Sequence, residues 1–564
     1  MIMRTIKLIE IILFLTTILA PLQACNKNED DKIEEPENKE LVATISTFQE
    51  QIPVLTKKQE NQVLLVKLEV DSHSKYFIQK VKINLQGTTD LDDIENVKFS
   101  YIGSDASSLA NRQFGEVSQA GQSIVFTDNL IISDKTAYFK VLVKLKDNTD
   151  LTHKVSANCE SIETDAGVVN NAEGSTHAGI RLGVALRQHG DDNVHTYRIP
   201  GLTTTANGTL LAIYDVRRES ARDLQGHIDI GLSRSTDGGN TWEPMRIVLD
   251  RGTWGGLPEK FNGVSDACIL VDENTNTVFV AGLWMHGVIN SNGEWIEGLN
   301  ESSTDWNHQW RNKGSQPGFG VKETSQFLIT KSTDDGQTWS DPVNLTEMCK
   351  KEYWWLWAPA PGHGITLADG TLVFPTQGRD QNGHAFSNIT WSKDGGETWT
   401  TSKMASHGTT ENMVVQLTDG SLMLNARDGK NKGNTSVTNG RVISITGDLG
   451  ETWSEHPTSR GALIEPACMA SLHKHEYTEN GQQKSILLFS NPNSKTDRDH
   501  MTIKVSFDDG ETWPEEYWML LDEKKGRGYS CLTSIDEQTI GILYEGSQAD
   551  MTFQKIALSE LIKK

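Results

Sequence analysis

The chain has 564 residues, which is enough for more than one domain. Its formal net charge of −23 and its scattered basic residues argue against nucleic acid as a partner, because phosphate binding depends on clustered Lys and Arg. Its 48 glycines suit a protein rich in tight turns.

The first 40 residues are predicted to form an export signal and a tether. MIMRTIK is basic, and the apolar run 11–20 is too short to span a bilayer as an ordinary helix, so 1–24 is read as a signal peptide. LQAC at 22–25 resembles the bacterial lipoprotein processing site. That resemblance implies a lipid anchor on Cys25 and an outer-membrane or cell-surface location; ordinary export to the periplasm or the medium is the alternative. The acidic stretch 25–40 predicts a disordered tether.

Residues 41–182 are expected to form a small β-sandwich. Alternating apolar runs at 81–85 and 139–145 carry this expectation. Two roles stay open for it, glycan binding and a simple spacer. Five cysteines beyond the leader are odd in number and widely spread, which predicts buried free thiols: Cys159, Cys268, Cys349, Cys468 and Cys531.

One octet recurs through the remaining chain, 183–564. STDGGNTW at 235–242 has close relatives at 332–339, 392–399, 446–453 and 506–513. Its Asp can accept backbone N–H groups, its Gly can take a positive φ, and its Trp can be buried. Short apolar strands separate the copies, and most copies follow the previous one after roughly 60 residues, a period typical of repeat proteins. An all-β propeller with one four-stranded blade per repeat is predicted, with a β-sandwich as the alternative.

RIPGL at 198–202, ahead of five octets, resembles the secreted bacterial exo-sialidases, and most closely the Bacteroides type with an N-terminal accessory domain. The resemblance spans about 185–560. It implies a six-bladed propeller, octets on the face away from the active site, and release of terminal sialic acid from glycoproteins, glycolipids and oligosaccharides without a cofactor or metal. Alternatives are a trans-sialidase, a hydrolase of a related nonulosonic acid, and a non-catalytic sialoglycan-binding protein.

The substrate's carboxylate requires planar, permanently charged donors, which arginine supplies. The resemblance implies a clamp of Arg198, Arg427 and Arg498, with Arg527 as the rival for the third place and Glu545 holding Arg198. It also implies that Arg217 and Asp266 contact the O4 hydroxyl of the sugar. Trp284 is expected either to line the N-acetyl pocket or to be a core tryptophan.

Catalysis is implied to use three further residues. Sialidases depart from the usual carboxylate pair by using a tyrosine nucleophile. Tyr529 in GYSCLT matches that nucleophile and is preferred over Tyr544, and Glu411 matches its general base. Asp223 matches the general acid, with Asp229 as the local rival. The polar, Trp-rich segment 294–325 is expected to form a loop over the active face.

Overall fold

The computed structural model describes residues 42–71, 75–172, 178–224, 226–254, 258–287, 296, 308 and 315–562. The predictions for the signal peptide, Cys25 and the tether lie outside these residues, as does most of 294–325. The described chain is nearly all β, as predicted, with two short helices, α1 (Thr346–Cys349) and α2 (Leu558–Leu561). None of its helices has the length and apolar character needed to cross a membrane. The five described cysteines are buried and free, as predicted.

Most strands of the N-terminal part, 42–172, form two antiparallel sheets. Their orders are β1-β3-β8-β5-β6 and β11-β10-β4-β7. Strands such as β8 alternate side chains between a shared core and the outside, and Phe99 and Phe139 stack in that core at 5.1 Å. The strands are β1 (Ala43–Phe48), β2 (Val54–Thr56), β3 (Asn61–Val70), β4 (Tyr76–Asn84), β5 (Ile94–Gly103), β6 (Arg112–Val117), β7 (Ser123–Ile132), β8 (Thr136–Leu145), β9 (Lys154–Val155), β10 (Asn158–Thr164) and β11 (Gly167–Asn170).

The larger part of the chain is a succession of short strands, many of them buried on both faces. They are β12 (Ile180–Arg187), β13 (Thr196–Thr204), β14 (Leu210–Arg217), β15 (Ile228–Ser235), β16 (Arg246–Leu249), β17 (Asn262–Asp272), β18 (Thr277–His286), β19 (Gln326–Ser332), β20 (Val343–Asn344), β21 (Leu356–Pro359), β22 (Gly362–His363), β23 (Ile365–Thr366), β24 (Leu372–Arg379), β25 (Ala385–Ser392), β26 (Thr400–Thr401), β27 (Ser406–His407), β28 (Thr409–Gln416), β29 (Leu422–Asp428), β30 (Val442–Thr446), β31 (Ser454–Glu455), β32 (Ser471–Glu479), β33 (Gln482–Pro492), β34 (Met501–Ser506), β35 (Met519–Asp522), β36 (Ser530–Asp536), β37 (Thr539–Tyr544) and β38 (Met551–Ala557). Among the described residues, five 3₁₀ turns lie between strands: Leu91–Asp93, Asp191–Asn193, Glu259–Phe261, Gly429–Asn431 and Glu515–Tyr517.

These strands form antiparallel sheets that follow chain order. The orders are β21-β24-β25-β26, β28-β29-β30-β31 and β32-β33-β34-β35. Strands β13 to β20 form one larger sheet, but its two halves are joined by a single parallel bridge between Ile228 and Gly263. In the last sheet, β36, β37 and β38 are completed by β12 from much earlier in the chain.

Each octet ends the third strand of its sheet and fixes a tight turn. In all five, the Ser or Thr hydroxyl donates to the Asp carboxylate at 2.8 Å. The same carboxylate accepts the backbone N–H four residues on, for instance from Thr398 to Asp394 at 2.9 Å. The glycine at the fifth position of the octet then packs on the preceding sheet: a Cβ at Gly396, whose φ is +87°, would lie 2.7 Å from Phe279. The octets therefore close turns and join neighbouring sheets.

The register places the octets at one end of each sheet and the candidate site residues at the other. Arg198 pairs with Asp215, which pairs with Ile230. At the far end of the same strands, Thr204 pairs with Leu210, which pairs with Ser235 of the first octet. Because first and third strands run in the same direction, the start of the first lies opposite the end of the third.

Candidate active site

Tyr529 and Glu411 form the centre of the site. The Tyr529 hydroxyl donates a short hydrogen bond to Glu411 Oε1, although the residues are 118 positions apart. Arg427 Nη1 donates to Glu411 Oε2 at 2.8 Å and to the Tyr529 hydroxyl at 3.2 Å. The phenol oxygen is thus held between a carboxylate that can take its proton and a cation that can stabilise the phenolate.

Arg198 and Arg498 complete a ring of positive charge around the same tyrosine. Their guanidinium carbons lie 5.2 Å and 5.5 Å from the centre of the Tyr529 ring. Arg198 donates through Nε to Glu545 Oε1 at 2.5 Å, and Glu545 also accepts the backbone N–H groups of Ile199 and Tyr529. Glu545 therefore fixes both the guanidinium and the backbone that carries the phenol. Arg498 is held by the carbonyl of Arg527, at 2.8 Å from Nη1.

Asp223 lies at the mouth of this cluster. Its side chain is 72% exposed, yet its Oδ1 accepts from Arg217 Nη1 at 2.6 Å and from Arg198 Nη1 at 3.4 Å. Arg217 is in turn buried against Asp215, to which Nη2 donates at 2.9 Å. The arrangement puts an accessible carboxyl group beside a preorganised pair of arginines.

In this site the pKa of the tyrosine is raised, whereas the pKa values of the two carboxyl groups beside it are lowered. Burial, followed by the charge of Glu411, raises the pKa of Tyr529 well above its ordinary value, so the phenol carries its proton. Burial opposes ionisation of Glu411, but Arg427 and the Tyr529 hydroxyl outweigh it and lower the pKa of this carboxyl. At Asp223 the surrounding protein also opposes ionisation, and Arg217 and Arg198 again lower the pKa. Glu411 and Asp223 are therefore both anionic in the free protein at neutral pH.

β-bulges set the direction of several of these side chains. The pairing of β13 with β14 shifts register between Arg198 and Gly201, and Ile199 there has a φ of +61°. Comparable shifts enclose Asp266 on β17 and Glu411 on β28. Each bulge lies near the start of the first strand of a repeat, where an added residue turns a side chain out of the ladder. The site is thus assembled from equivalent positions of different repeats.

Asp266 interacts electrostatically with the carboxyl groups of this cluster. Burial and then the negative charges of Asp215, Glu411 and Asp223 raise the pKa of Asp266 well above its usual range. Its φ of +54° lies in a region that few L-residues adopt. A carboxyl group kept neutral in this way can donate a hydrogen bond to a sugar hydroxyl.

Trp284 does not lie on an open pocket wall. Its side chain is 0% exposed and makes edge contacts with Trp254 at 4.7 Å and His308 at 5.2 Å. The structure thus contradicts the expectation that it lines the N-acetyl pocket and supports the alternative of a core tryptophan. The reason is that β18 is buried along almost its whole length.

Two of the three rival residues, Asp229 and Tyr544, have structural partners of their own. Asp229 is buried, and its Oδ2 accepts hydrogen bonds from Arg218 Nε at 2.9 Å and Nη2 at 2.6 Å. Tyr544 is buried and its hydroxyl donates to Gln554 at 3.2 Å. Neither makes a hydrogen bond to the Tyr529 cluster within the described residues.

Asp215 belongs to the site but was missed by the sequence analysis. It is fully buried, and its carboxylate accepts hydrogen bonds from Arg217 and, at 2.6 Å, from the Ser265 hydroxyl. Its signal was available in YDVRR, because Asp215 and Arg217 are two apart and share a strand face. In the part of the chain that the structure describes, one group has metal-ligand spacing, Asp90, Asp93 and His153, and there His153 Nδ1 already contacts Asp93 at 2.7 Å.

An arginine cluster around a buried tyrosine, with carboxyl groups on either side, suits a glycoside hydrolase of acidic sugars. Comparisons with known proteins give the particular family. Residues 208–542 match a BNR repeat-like domain, and 43–167 match the N-terminal domain of BNR-repeat neuraminidase. A sialidase of Bacteroides fragilis (strain YCH46) is 41% identical over 550 residues, covering 92% of this chain and 96% of its own. The chain belongs to the BNR-repeat sialidase family.

Solved structures agree with this assignment. The Hadza microbial sialidase Hz136 is 36% identical with a TM-score of 0.81, covering 92% of this chain and 100% of its own. A leech intramolecular trans-sialidase shares the fold at 17% identity and a TM-score of 0.55, covering 89% of this chain and 98% of its own. The nearly all-β structure is consistent with the β-propeller of sialidases. The protein is thus a glycoside hydrolase, a sialidase, as the sequence resemblance implied.

Proposed function

We propose that this sialidase is a retaining exo-enzyme that forms a covalent tyrosyl-sialoside on Tyr529. The observation that carries the proposal is the hydrogen bond from the Tyr529 hydroxyl to Glu411, with Arg427 on both groups. A carboxylate nucleophile would meet the negative charge of the sialic acid carboxylate at the attacked carbon, whereas a phenol is neutral until it reacts.

In the first step Tyr529 Oη attacks the anomeric carbon while Glu411 accepts its proton. Asp223 donates a proton to the leaving oxygen, and the glycosidic bond breaks. In the second step Asp223 accepts a proton from water, which attacks the same carbon. The Tyr529 oxygen leaves and recovers its proton from Glu411, so the enzyme returns to its starting state with two inversions and overall retention.

The arginines bind the substrate carboxylate in this proposal. Arg198, Arg427 and Arg498 surround Tyr529, and Glu545 holds Arg198 so that binding costs little reorganisation. Arg217 and Asp266 contact O4. When the substrate carboxylate occupies the clamp, it offsets the positive charge that lowers the pKa of Asp223, which favours the protonated acid that the first step needs.

The architecture proposed for this activity has six blades, preceded by a β-sandwich. Sheet orders support it: β13–β16, β17–β20, the sheet of β21 and β24–β26, β28–β31, β32–β35, and β36–β38 closed by β12. The two sheets of 42–172 support the sandwich. Cys25 is proposed as a lipidated N-terminus that places the enzyme on the cell surface, where sialylated glycans of glycoproteins and glycolipids are accessible.

The decisive experiment traps the intermediate. A 2,3-difluorinated sialic acid should add its sugar mass to the peptide containing Tyr529, as found by mass spectrometry. Linkage-defined sialyllactoses, with and without an added galactoside acceptor, should give free sialic acid, and nuclear magnetic resonance should detect the α-anomer first. Label on a carboxylate residue would overturn the nucleophile assignment, and a predominant transfer product would identify a trans-sialidase.

A further inference from the structure

A polar cavity of about 520 Å³ lies at the opposite end of the sheets from Tyr529. Strands β13, β17 and β28 each carry a candidate site residue in one half and a residue of this cavity at or near the other end. The three cavity residues are Thr204, Val271 and Gln416. Because the first strands of neighbouring sheets pack on one another, the cavity lies where the sheets meet, at the end that carries the octets. We call this space the rear cavity.

Four carboxyl groups surround the mouth of the rear cavity: Glu273, Glu476, Asp536 and Glu537, all on exposed residues. Lys474 also lines the cavity, but it already pairs with Glu476 at 3.2 Å. The surrounding protein, followed by the charge of Glu476, raises the pKa of Glu273, so these two carboxyl groups repel each other. Within the described residues the Glu273 carboxylate makes no hydrogen bond or ion pair. The mouth therefore carries uncompensated negative charge.

His363 lines the same cavity at a deeper level, where its side chain is only 5% exposed. Its Nδ1 contacts the Gly364 carbonyl at 3.0 Å, and because a carbonyl can only accept, that nitrogen carries the proton. Burial lowers the pKa of His363, so the ring is neutral and Nε2 has a lone pair. No group in the described part of the chain donates to this buried nitrogen. A buried acceptor without a partner is costly, and in a cavity wall it points to a ligand.

A relay of hydrogen bonds leaves His473 with a second lone pair in the cavity. His475 Nε2 contacts the Glu537 carbonyl at 3.1 Å, and burial lowers the pKa of His475, so its one proton is on Nε2. Its Nδ1 must then accept from the Ser534 hydroxyl, at 2.7 Å. That hydroxyl oxygen accepts in turn from His473 Nε2 at 2.8 Å. His473, which is neutral because burial lowers its pKa, keeps its lone pair on Nδ1.

The wall of the rear cavity thus offers hydrogen-bond acceptors at two depths. Two neutral imidazoles lie inside, with 5.4 Å between the ring centres of His363 and His473, and carboxylates lie at the mouth. The volume is that of a site for a small organic molecule and exceeds what one metal ion needs. Three His, Asp or Glu ligand atoms with metal-ligand spacing occur in the described chain at Asp90, Asp93 and His153, which do not line this cavity. A matching ligand is therefore an organic molecule that donates hydrogen bonds and carries positive charge.

We propose that the rear cavity binds a small aliphatic polyamine, with one amino group against His363 and His473 and another against Glu273 and Glu476. Ammonium groups supply only donors and positive charge, which is the complement of this wall. A neutral sugar could donate to the imidazoles but would leave the repulsion between the two glutamates uncompensated. The inference goes beyond the proposed function, because the rear cavity shares no residue with the arginine clamp.

The test is calorimetric titration of the full chain with spermidine as the probe, at constant ionic strength. Wild type should bind one spermidine per chain. Glu273→Gln and His363→Leu should each raise Kd about tenfold or more, because the first loses a charged hydrogen bond and the second a buried acceptor. Glu397→Gln is the matched control: it removes an exposed carboxylate, paired with Lys331, at the same end of the sheets but outside the cavity. It should bind spermidine as wild type does.

A wild-type chain that does not bind spermidine would overturn the proposal, since ordered water would then be the partner of His363. Equal weakening in Glu397→Gln and Glu273→Gln would overturn it as well, because net charge alone would account for the binding. Titrations with Zn²⁺ alone and galactose alone should show no binding that Glu273→Gln abolishes; such binding in place of spermidine would mean a metal or sugar site. Glu273→Gln, at an exposed position, tests the site even where a melting curve shows that His363→Leu does not fold. No sialoside is present, so the result is independent of the proposed function.

Discussion

A buried phenol is a poor nucleophile until its proton is removed, and the partners of two buried tyrosines show which one is equipped for attack. Tyr529 faces Glu411 and three arginines, whereas Tyr544 donates to a neutral amide, Gln554. The difference lies in the surroundings, because the two tyrosines are close in the same sheet: Tyr529 directly precedes β36, and Tyr544 ends the neighbouring strand β37.

Tyr529→Phe should therefore reduce turnover of sialyllactose by about 10³-fold or more, because the proposed nucleophile is lost. Binding of a sialic acid analogue should be largely retained, since the arginines remain. Tyr544→Phe is the matched control: it should cost about 1 kcal/mol of unfolding free energy and leave turnover in place. Hydrolysis by Tyr529→Phe at near the wild-type rate would show that another group attacks.

Arg198→Lys should weaken binding more than its conserved charge suggests. Lysine cannot reproduce the planar fork that contacts both Glu545 and a substrate carboxylate. The loss should be roughly 2–4 kcal/mol for a carboxylate-bearing inhibitor, measured by calorimetry. Arg218→Lys, at the Asp229 pair, should have a much smaller effect. Unchanged affinity in Arg198→Lys would remove this residue from the clamp.

Asp223 gives the pH profile a definite sign. It must be protonated to act as an acid, but Arg217 and Arg198 lower its pKa in the free enzyme. Therefore kcat/KM, which reports on the free enzyme, should decline as pH rises through this lowered pKa, which lies below the ordinary Asp range. Because bound substrate offsets the arginine charge, kcat should persist to higher pH. Asp223→Asn should abolish the alkaline limb with an aryl sialoside; a limb that survives would belong to another group.

At the scale of elements, the octets and the active site occupy opposite ends of the sheets. Asp394→Ala should lower the melting temperature without changing the kinetics of the folded enzyme, because the carboxylate closes a turn around Thr398 and Ser392. Asp223→Ala should do the reverse, with stability kept and turnover of natural sialosides lost. Melting curves and kinetics with sialyllactose and an aryl sialoside measure both. Loss of turnover in an Asp394→Ala enzyme that melts normally would place the octets in the active site.

Much of the fold could be predicted from the sequence because octets and turns mark the ends of strands. The all-β class is confirmed, and residues far apart in sequence, such as Glu411 and Tyr529, do meet. The burial of Trp284 was harder to predict, since alternation carries no information in a strand buried on both faces. Nor does a pattern reveal the bulges beside Arg198 and Glu411, which depend on the neighbouring strand.

For the whole molecule, the feature that sequence patterns did not reveal is how the N-terminal part is integrated. β12 pairs with β38 and is flanked by two strands from the N-terminal part, β2 and β9. The resulting sheet includes β36 and β37, which directly follow Tyr529 and precede Glu545. Because these pairings join distant segments, we expect the two parts of the chain to unfold together.

Glu560 on α2 tests this coupling. Its carboxylate accepts two hydrogen bonds of 2.7 Å from the Arg181 guanidinium and one of 2.7 Å from Lys154 Nζ. These bonds join α2 to β12 and β9. Burial opposes its ionisation, but the hydrogen bonds from Arg181 and Lys154 outweigh it and lower the pKa of Glu560 to about 2. Its folded pKa thus lies below the unfolded value of about 4.3, so its contribution is complete above that pH and is lost as pH falls towards 2.

Glu560→Gln should accordingly lower the free energy of unfolding by about 1–2 kcal/mol at pH 7, a figure that allows for solvent screening of a partly exposed pair. The difference from wild type should shrink as pH falls towards 2, in urea titrations followed by tryptophan fluorescence. Glu516→Gln, at an exposed position, should show no such difference at either pH. A single unfolding transition that shifts as a whole would indicate coupled unfolding, whereas a shift confined to one of two separate transitions would show that the N-terminal part is an independent unit.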